Sequence, residues 1–406
     1  MADQKFRTRI TDLFGIEHPI VCGGMMWLGD AEYTSAVARA GGIGFITPRS
    51  FPTPEDFREQ LRKAHDLSDG KPFGVNLYIS ARPEANQMLQ IFLDIAIEER
   101  VRFVETAGFS PKEFMPKIKD AGMIVMHKCT TLRHARSAQN AGVDAVAILG
   151  AEAGGHPGMD MIGTMVQGAV VPQELDVPVV LAGGMGTGRQ LVACLALGAH
   201  GMLVATRMVV AAEIWAHENY KKRLSELGPS DTKIIMSIFG DNSRVIGNHS
   251  SEAVLSLEAE GNKDYEAYRP YVQGNLQRKA YVDGDWTRGT MSVGQSVAFA
   301  GEIEPVGTII DGIMDEATAN VDPATDEKIQ AVIRRELSSA TVLTVAHRLG
   351  TIIYYDLVMV LDKGKVVEMA PPAQLLADPS TTFYGMCQKT GDLEALIAEA
   401  NKEKGE

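Results

Sequence analysis

Residues 177–188 read VPVVLAGGMGTG, and residues 201–208 read GMLVATRM. Each is a short apolar run that ends in small residues, and the first leads straight into a helical stretch over 188–197. Where strands and helices alternate around a barrel, the loops after strands seven and eight commonly seat a phosphate on backbone N–H groups and a short helix N-terminus. Glycine lets the chain approach an anion and take a positive φ without a Cβ clash. Taken alone, Gly183, Gly184 and Gly186 also suit a plain tight turn. The pairing of the two stretches is what points to phosphate.

Outward from this pair, six more β-branched runs alternate with amphipathic helical segments. The predicted strands cover residues 18–24, 42–47, 73–79, 102–108, 123–129, 145–150, 177–183 and 201–206. Each is nearly continuous in apolar residues, as strands covered on both faces are. Eight such units in about 200 residues predict a (β/α)₈ TIM barrel. An open doubly wound sheet shares the alternation, but here the glycine-rich segments close several different strands, which is where barrel sites are built. Residues 213–240 and 251–277 read as mainly helical, giving a helical insertion over about 209–290 and a barrel domain over 1–314. From 315 to 406 the character changes to an incomplete α/β tail, with a β-branched run at 341–346, a strand pair around Lys363–Gly364 and a charged helical end at 393–404.

Composition narrows the function classes. Of 406 residues, 45% are hydrophobic and 22% charged, as in soluble globular enzymes. A net charge of −13 argues against nucleic acid or an anionic membrane as partner. No apolar run approaches the roughly 20 residues of a membrane span, and the opening MADQKFRTRITDLFG has no secretory core. Cys22, Cys129, Cys194 and Cys387 form no CxxC pair and read as buried small hydrophobes in a reducing compartment, so a cytoplasmic location is expected.

The stretch GAEAGGHPG (150–158) ends strand six with one histidine amid glycines and a proline. A packed core role explains His156 poorly in that setting, while an imidazole on a barrel's catalytic rim can take a proton or a hydrogen bond near neutral pH. Asn76 and Lys128 fall at the ends of strands three and five.

Together, HPIVCGGM, ARAGGIGFIT, PFGVNL, VETAG, HKCTTLRHA, GAEAGGHPG and LAGGMGTGR resemble the nitronate monooxygenase family over residues 6–314. The resemblance implies an oxidoreductase with bound FMN that oxidises alkyl nitronates with O₂. FMN would contact Gly24, Met25, Asn76, Lys128, Gly155, Gly183, Gly184, Ala205 and Thr206, and His156 would face substrate and flavin. In that role the Asn76 amide would pair with the flavin pyrimidine edge, and the Lys128 ammonium would stabilise the reduced ring. The family usually carries Gly-Thr where this chain has Ala205-Thr206; if the position needs a positive φ, alanine costs about 1 kcal/mol. FMN-dependent enoyl reductases and NADH:quinone reductases share the GGH element, so NAD(P)H with a quinone is the alternative substrate pair.

A second resemblance lies at the C-terminal end. MDEATANVD (314–322), LTVAHR (343–348) and VMVLDKGKVVE (358–368) look like the end of an ABC-transporter nucleotide-binding domain. It implies Asp315 as the Mg²⁺-organising acid after a strand, Glu316 as the base and His347 as the γ-phosphate contact. The chain holds no GxxxxGK[ST], so no P-loop is present to hold ATP. Association through this segment is the implied partner class, and MSVGQ (291–295) echoes the ABC signature from within the barrel family's own Gly-Gln element.

Overall fold

The computed structural model describes residues 6–81, 83–319, 349–362, 364–388 and 393–401. The chain divides into two compact units, Met1–Asn320 and Val321–Glu406.

In the first unit the strands β1 (Ile20–Cys22), β2 (Ile43–Ile46), β3 (Gly74–Ile79), β4 (Phe103–Gly108), β5 (Ile124–Cys129), β6 (Ala145–Leu149), β7 (Val179–Ala182) and β8 (Gly201–Val204) follow one another around a closed barrel. All pairs are parallel, and β8 closes on β1 through Val21↔Leu203. Alternate residues point inward. Val21, Phe45, Phe103, Met126, Ala147 and Val180 fill the interior, while Ile20, Val75, Val104, Val125 and Ile148 face the helices. A first helix, α1 (Arg9–Phe14), sends Ile10 and Phe14 into the barrel floor. Phe14 meets Phe45 and Phe103 edge-on at 6.5 and 5.4 Å.

Seven helices alternate with the strands: α2 (Ala31–Arg39), α3 (Pro54–Leu67), α4 (Gln87–Glu98), α5 (Met115–Asp120), α6 (Leu132–Asn140), α7 (Thr164–Val170) and α8 (Gly188–Ala196). Their starts follow the chemistry of helix N-termini. Thr53 with Asp56 before α3, and Thr187 with Gln190 before α8, form reciprocal capping boxes. Asp30 and Thr131 cap α2 and α6 singly.

Beyond β8 the helical insertion expected over about 209–290 also contains a strand pair. After α9 (Glu218–Ser225) the chain forms a hairpin of β9 (Thr232–Ile235) and β10 (Ser243–Ile246), then α10 (His249–Ala259), α11 (Tyr265–Val272) and α12 (Gly274–Asp283). The hairpin wins because Ile235 and Val245 bury against Val254 and Tyr268, a tertiary contact that four-residue strands do not announce in sequence.

The last barrel helix, α13 (Val306–Ala319), buries Val306, Ile309, Ile310, Ile313, Met314 and Ala317, a 3–4 spacing that marks one helix face. It packs on α8 and α2. This corrects the placement of Asp315 and Glu316 as an acidic pair after a strand. Both lie on α13, and Glu316 accepts the Gly188 N–H at 2.6 Å while its other oxygen meets Arg189 Nε at 2.7 Å. A carboxylate at the first turn of α8 satisfies an orphan amide and opposes the helix dipole. Glu316→Ala is therefore expected to lower stability by about 1–2 kcal/mol. A urea titration checks this, and an unchanged midpoint would mean that the cap contributes nothing.

The second unit, described by itself, holds an antiparallel pair, β11 (Val358–Asp362) and β12 (Lys365–Ala370), and helices over Pro372–Leu376, Thr382–Gln388 and Leu393–Ala400. Ile353, Val358, Val360, Leu375, Leu376 and Phe383 form its core. The run at 341–346 and His347 lie outside the described residues.

Candidate active site

The C-terminal ends of the strands open into a cavity of about 840 Å³, lined by residues from the β1, β3, β4, β5, β6, β7 and β8 ends and from the insertion. Gly24, Met25, Lys128, Gly155, His156, Gly183, Gly184, Ala205 and Thr206 all line it. Of the predicted site residues, Asn76 alone stands behind the wall.

What holds Asn76 is a residue that sequence reasoning did not select. Glu105, in the middle of β4, has no solvent exposure. Its Oε2 accepts from Asn76 Nδ2 at 2.5 Å and from the Gly24 N–H at 2.8 Å, and lies 3.0 Å from Lys128 Nζ. Parallel register puts Asn76 beside Glu105 on the inner face, and Lys128 follows from β5 with its side chain 15% exposed. One N–H of the Asn76 amide is thus committed to a carboxylate. Glu105 Oε1 is buried without a hydrogen-bond partner. Gly24 closes this layer: a Cβ there would stand 2.3 Å from Asn76 Cβ. The signal was legible as a lone acid within the apolar strand residues of VETAG.

Next to Lys128, His127 faces the opposite side of β5 and bonds Thr106 Oγ1 through Nδ1 at 2.8 Å. Burial, with the Lys128 charge adding to it, lowers its pKa to about 4, so the ring is neutral.

The loop after β7 carries Gly183 at φ +97° and Gly184 at φ +74°. A Cβ on Gly183 would meet the Gly150 carbonyl oxygen at 2.9 Å, so both backbone shape and space require glycine there. After β8, a short 3-10 turn runs over Thr206–Val210. Thr206 Oγ1 accepts the Gly294 N–H at 2.9 Å, which leaves its own proton to donate into the cavity. MSVGQ (291–295) is built into this wall: Ser292 lines the cavity, Val293 is buried, and Gln295 N–H donates to the Glu152 carbonyl. Ala205 has φ −134°, so the strain expected for alanine is corrected, because this φ is open to any residue. Ala205→Gly should leave FMN affinity unchanged or weaken it, since glycine only adds freedom to the unbound loop. Equilibrium dialysis decides, and tighter binding would show that the methyl group obstructs the seat.

His156 sits on the rim with its side chain 55% exposed, and Nε2 lies 3.7 Å from Asp241 Oδ1. Its loop is held by a two-bond bridge to the insertion, in which Gly155 N–H donates to the Arg244 carbonyl at 3.0 Å and Arg244 N–H donates to the Gly155 carbonyl at 2.6 Å. The Arg244 guanidinium is buried and reaches the Ala151 carbonyl from Nε and Nη2 at 3.1 and 2.8 Å. Sequence reasoning missed Arg244 and Asp241, since nothing local marks a hairpin that folds back on a distant loop.

All four cysteines are buried and free. Burial pushes the thiols of Cys22, Cys129 and Cys194 up to about 12, so none is a thiolate nucleophile near neutral pH. The described residues hold no cluster suited to a metal ion and no helix long and apolar enough to cross a membrane.

Comparisons with known proteins agree with this geometry. A family model described as nitronate monooxygenase matches residues 7–316. The chain is 28% identical to (3aS,4S,5R,7aS)-5-hydroxy-7a-methyl-1-oxo-octahydro-1H-indene-4-carboxyl-CoA dehydrogenase of Rhodococcus jostii, over 78% of this chain and 97% of that protein. It is 26% identical to nitronate monooxygenase of Paraburkholderia phytofirmans, over 74% and 92%. Among solved structures, FabK from Thermotoga maritima superposes with a TM-score of 0.72 at 34% identity, covering 80% of this chain and 99% of that one. With a closed eight-stranded barrel and a family match that spans it, this chain belongs to the nitronate monooxygenase family and is an oxidoreductase.

Proposed function

We propose that the protein is an FMN-dependent oxidoreductase that oxidises an alkyl nitronate with O₂. The observation that carries this reading is the convergence on one cavity of the glycine-shaped loop after β7, the Ala205–Thr206 turn after β8 and a lysine anchored to a buried carboxylate. The residues fit the cofactor: Gly183 and Gly184 take positive φ and line the cavity with backbone alone, and Thr206, on the same wall, has a hydroxyl that accepts from the Gly294 N–H and keeps its own proton to donate. FMN, when bound, supplies the redox chemistry. The chain supplies position and charge. Lys128, fixed by Glu105, presents an ammonium to an anionic ring or substrate. His156 on the rim holds or accepts a proton as the substrate enters.

A second reading has its own support. The cavity, about 840 Å³, lies near the upper end of the roughly 300–1,000 Å³ usual for ligand sites, and relatives matched over nearly their whole length are named as a carboxyl-CoA dehydrogenase and FabK. In that reading the same barrel reduces its flavin from NAD(P)H, or from a larger substrate, and passes electrons to a quinone or another acceptor. A yellow purified protein, with O₂ uptake on adding a nitronate, is the result expected of the first reading. Rapid bleaching by NADH without nitronate-driven uptake would replace it with the second, and a colourless protein that takes up no FMN would overturn both.

A further inference from the structure

Lys221, on α9, is a buried lysine that does not line the barrel-mouth cavity. The residue is 4% exposed, and an ammonium so far from water is costly unless it finds acceptors. Its Nζ donates to the Ala211 carbonyl at 2.6 Å and reaches the Ala212 carbonyl at 3.4 Å. Burial lowers its pKa below the ordinary lysine value, while the charges of Glu213 and Glu218 favour the ammonium.

The two carbonyls belong to a segment that matters to the cavity. Ala211 caps the 3-10 turn Thr206–Val210, and its N–H donates to the Met208 carbonyl. The last carbonyls of a helical turn lack partners within it, and a cation at that end satisfies them and opposes the turn's dipole. The same segment is tied from its other side. Arg207 Nη2 meets Glu304 Oε2 at 2.8 Å, and the Ala212 N–H donates to the Glu304 carbonyl at 2.7 Å. The Glu213 carboxylate accepts the Val306 N–H at 2.9 Å. Residues 206–213 are thus clamped between α9 and the stretch 304–306. At the head of the clamped segment stands Thr206, on the cavity wall.

We propose that Lys221 is a positioning residue for the cofactor seat, which fixes the end of this turn and so holds Thr206 in place for the phosphate of FMN. Sites that bind precisely have their contact residues held by a supporting layer of hydrogen bonds, and Lys221 supplies that layer from outside the cavity. This role rests on the FMN reading of the cavity. A general loosening of the barrel would weaken the whole flavin alike, whereas a displaced turn weakens only the phosphate end. Riboflavin, which has the ring without the phosphate, separates the two.

The test measures dissociation constants of FMN and of riboflavin by fluorescence titration of the flavin-stripped, full-length chain. Lys221→Met should raise the constant for FMN about tenfold or more and leave that for riboflavin within about twofold. Lys221→Arg, which keeps the charge and the donors, should restore part of the loss. Should Lys221→Met not accumulate as folded protein, Lys221→Gln gives the same comparison with an uncharged donor. Unchanged FMN affinity, or an equal loss for FMN and riboflavin, would overturn the role of Lys221 and leave the FMN reading standing. A parent chain that binds neither flavin would overturn that reading and the role with it.

Discussion

Replacing Glu105 with alanine is expected to destabilise the barrel by about 3–5 kcal/mol, the scale of breaking a buried ion pair from one side. The change strands three donors at once: the Gly24 amide, the Asn76 amide group and the Lys128 ammonium, all of which converge on one oxygen. Asn76 is buried and regains no partner by relaxing outward, whereas Gly24 and Lys128 border the cavity. Glu105→Gln keeps the volume and one acceptor oxygen, and should lose less stability while still releasing Lys128. Urea unfolding of the two variants, with flavin content measured on each, separates the effects. A loss below about 1 kcal/mol for the alanine variant would mean that water replaces the carboxylate and that the cluster holds nothing in place.

His156→Asn should lower turnover about a hundredfold or more, the scale of lost acid–base assistance, while flavin stays bound. The imidazole is exposed and packs no core, so stability should be nearly unchanged. Steady-state turnover and the absorption spectrum, measured on one preparation, decide the matter. Turnover within about twofold of the parent would remove His156 from the chemistry and leave Lys128 as the charged side chain at the reacting centre.

The barrel was readable because its strands are short, apolar on both faces and closed by glycines. Each of the eight predicted runs contains one observed strand, trimmed at its ends. Gly183 and Gly184 stood out for a related reason, since their positive φ and crowded surroundings leave no place for a Cβ. The Glu105 partner of Asn76 escaped because it arrives from the next strand, and periodicity does not reveal which inner-face residue meets which. The β9–β10 hairpin escaped because its strands owe their form to packing on α10 and α11. Asp315 and Glu316 misled for another reason: an acidic pair after an apolar run looks alike on a strand end and on a helix. Only the spacing of Ile309, Ile310, Ile313 and Ala317 across that pair distinguishes the two.

The floor of the barrel bears on the kinetics. Ile10 and Phe14 stop its lower end against Phe45 and Phe103, with no side chain there more than 5% exposed. Reactants larger than a gas molecule therefore share one doorway. On the proposed oxidoreductase reading, a donor and a bulky acceptor that use this doorway in turn make the two half-reactions alternate in time. Double-reciprocal plots at several fixed acceptor concentrations should then give parallel lines, the pattern of a ping-pong enzyme.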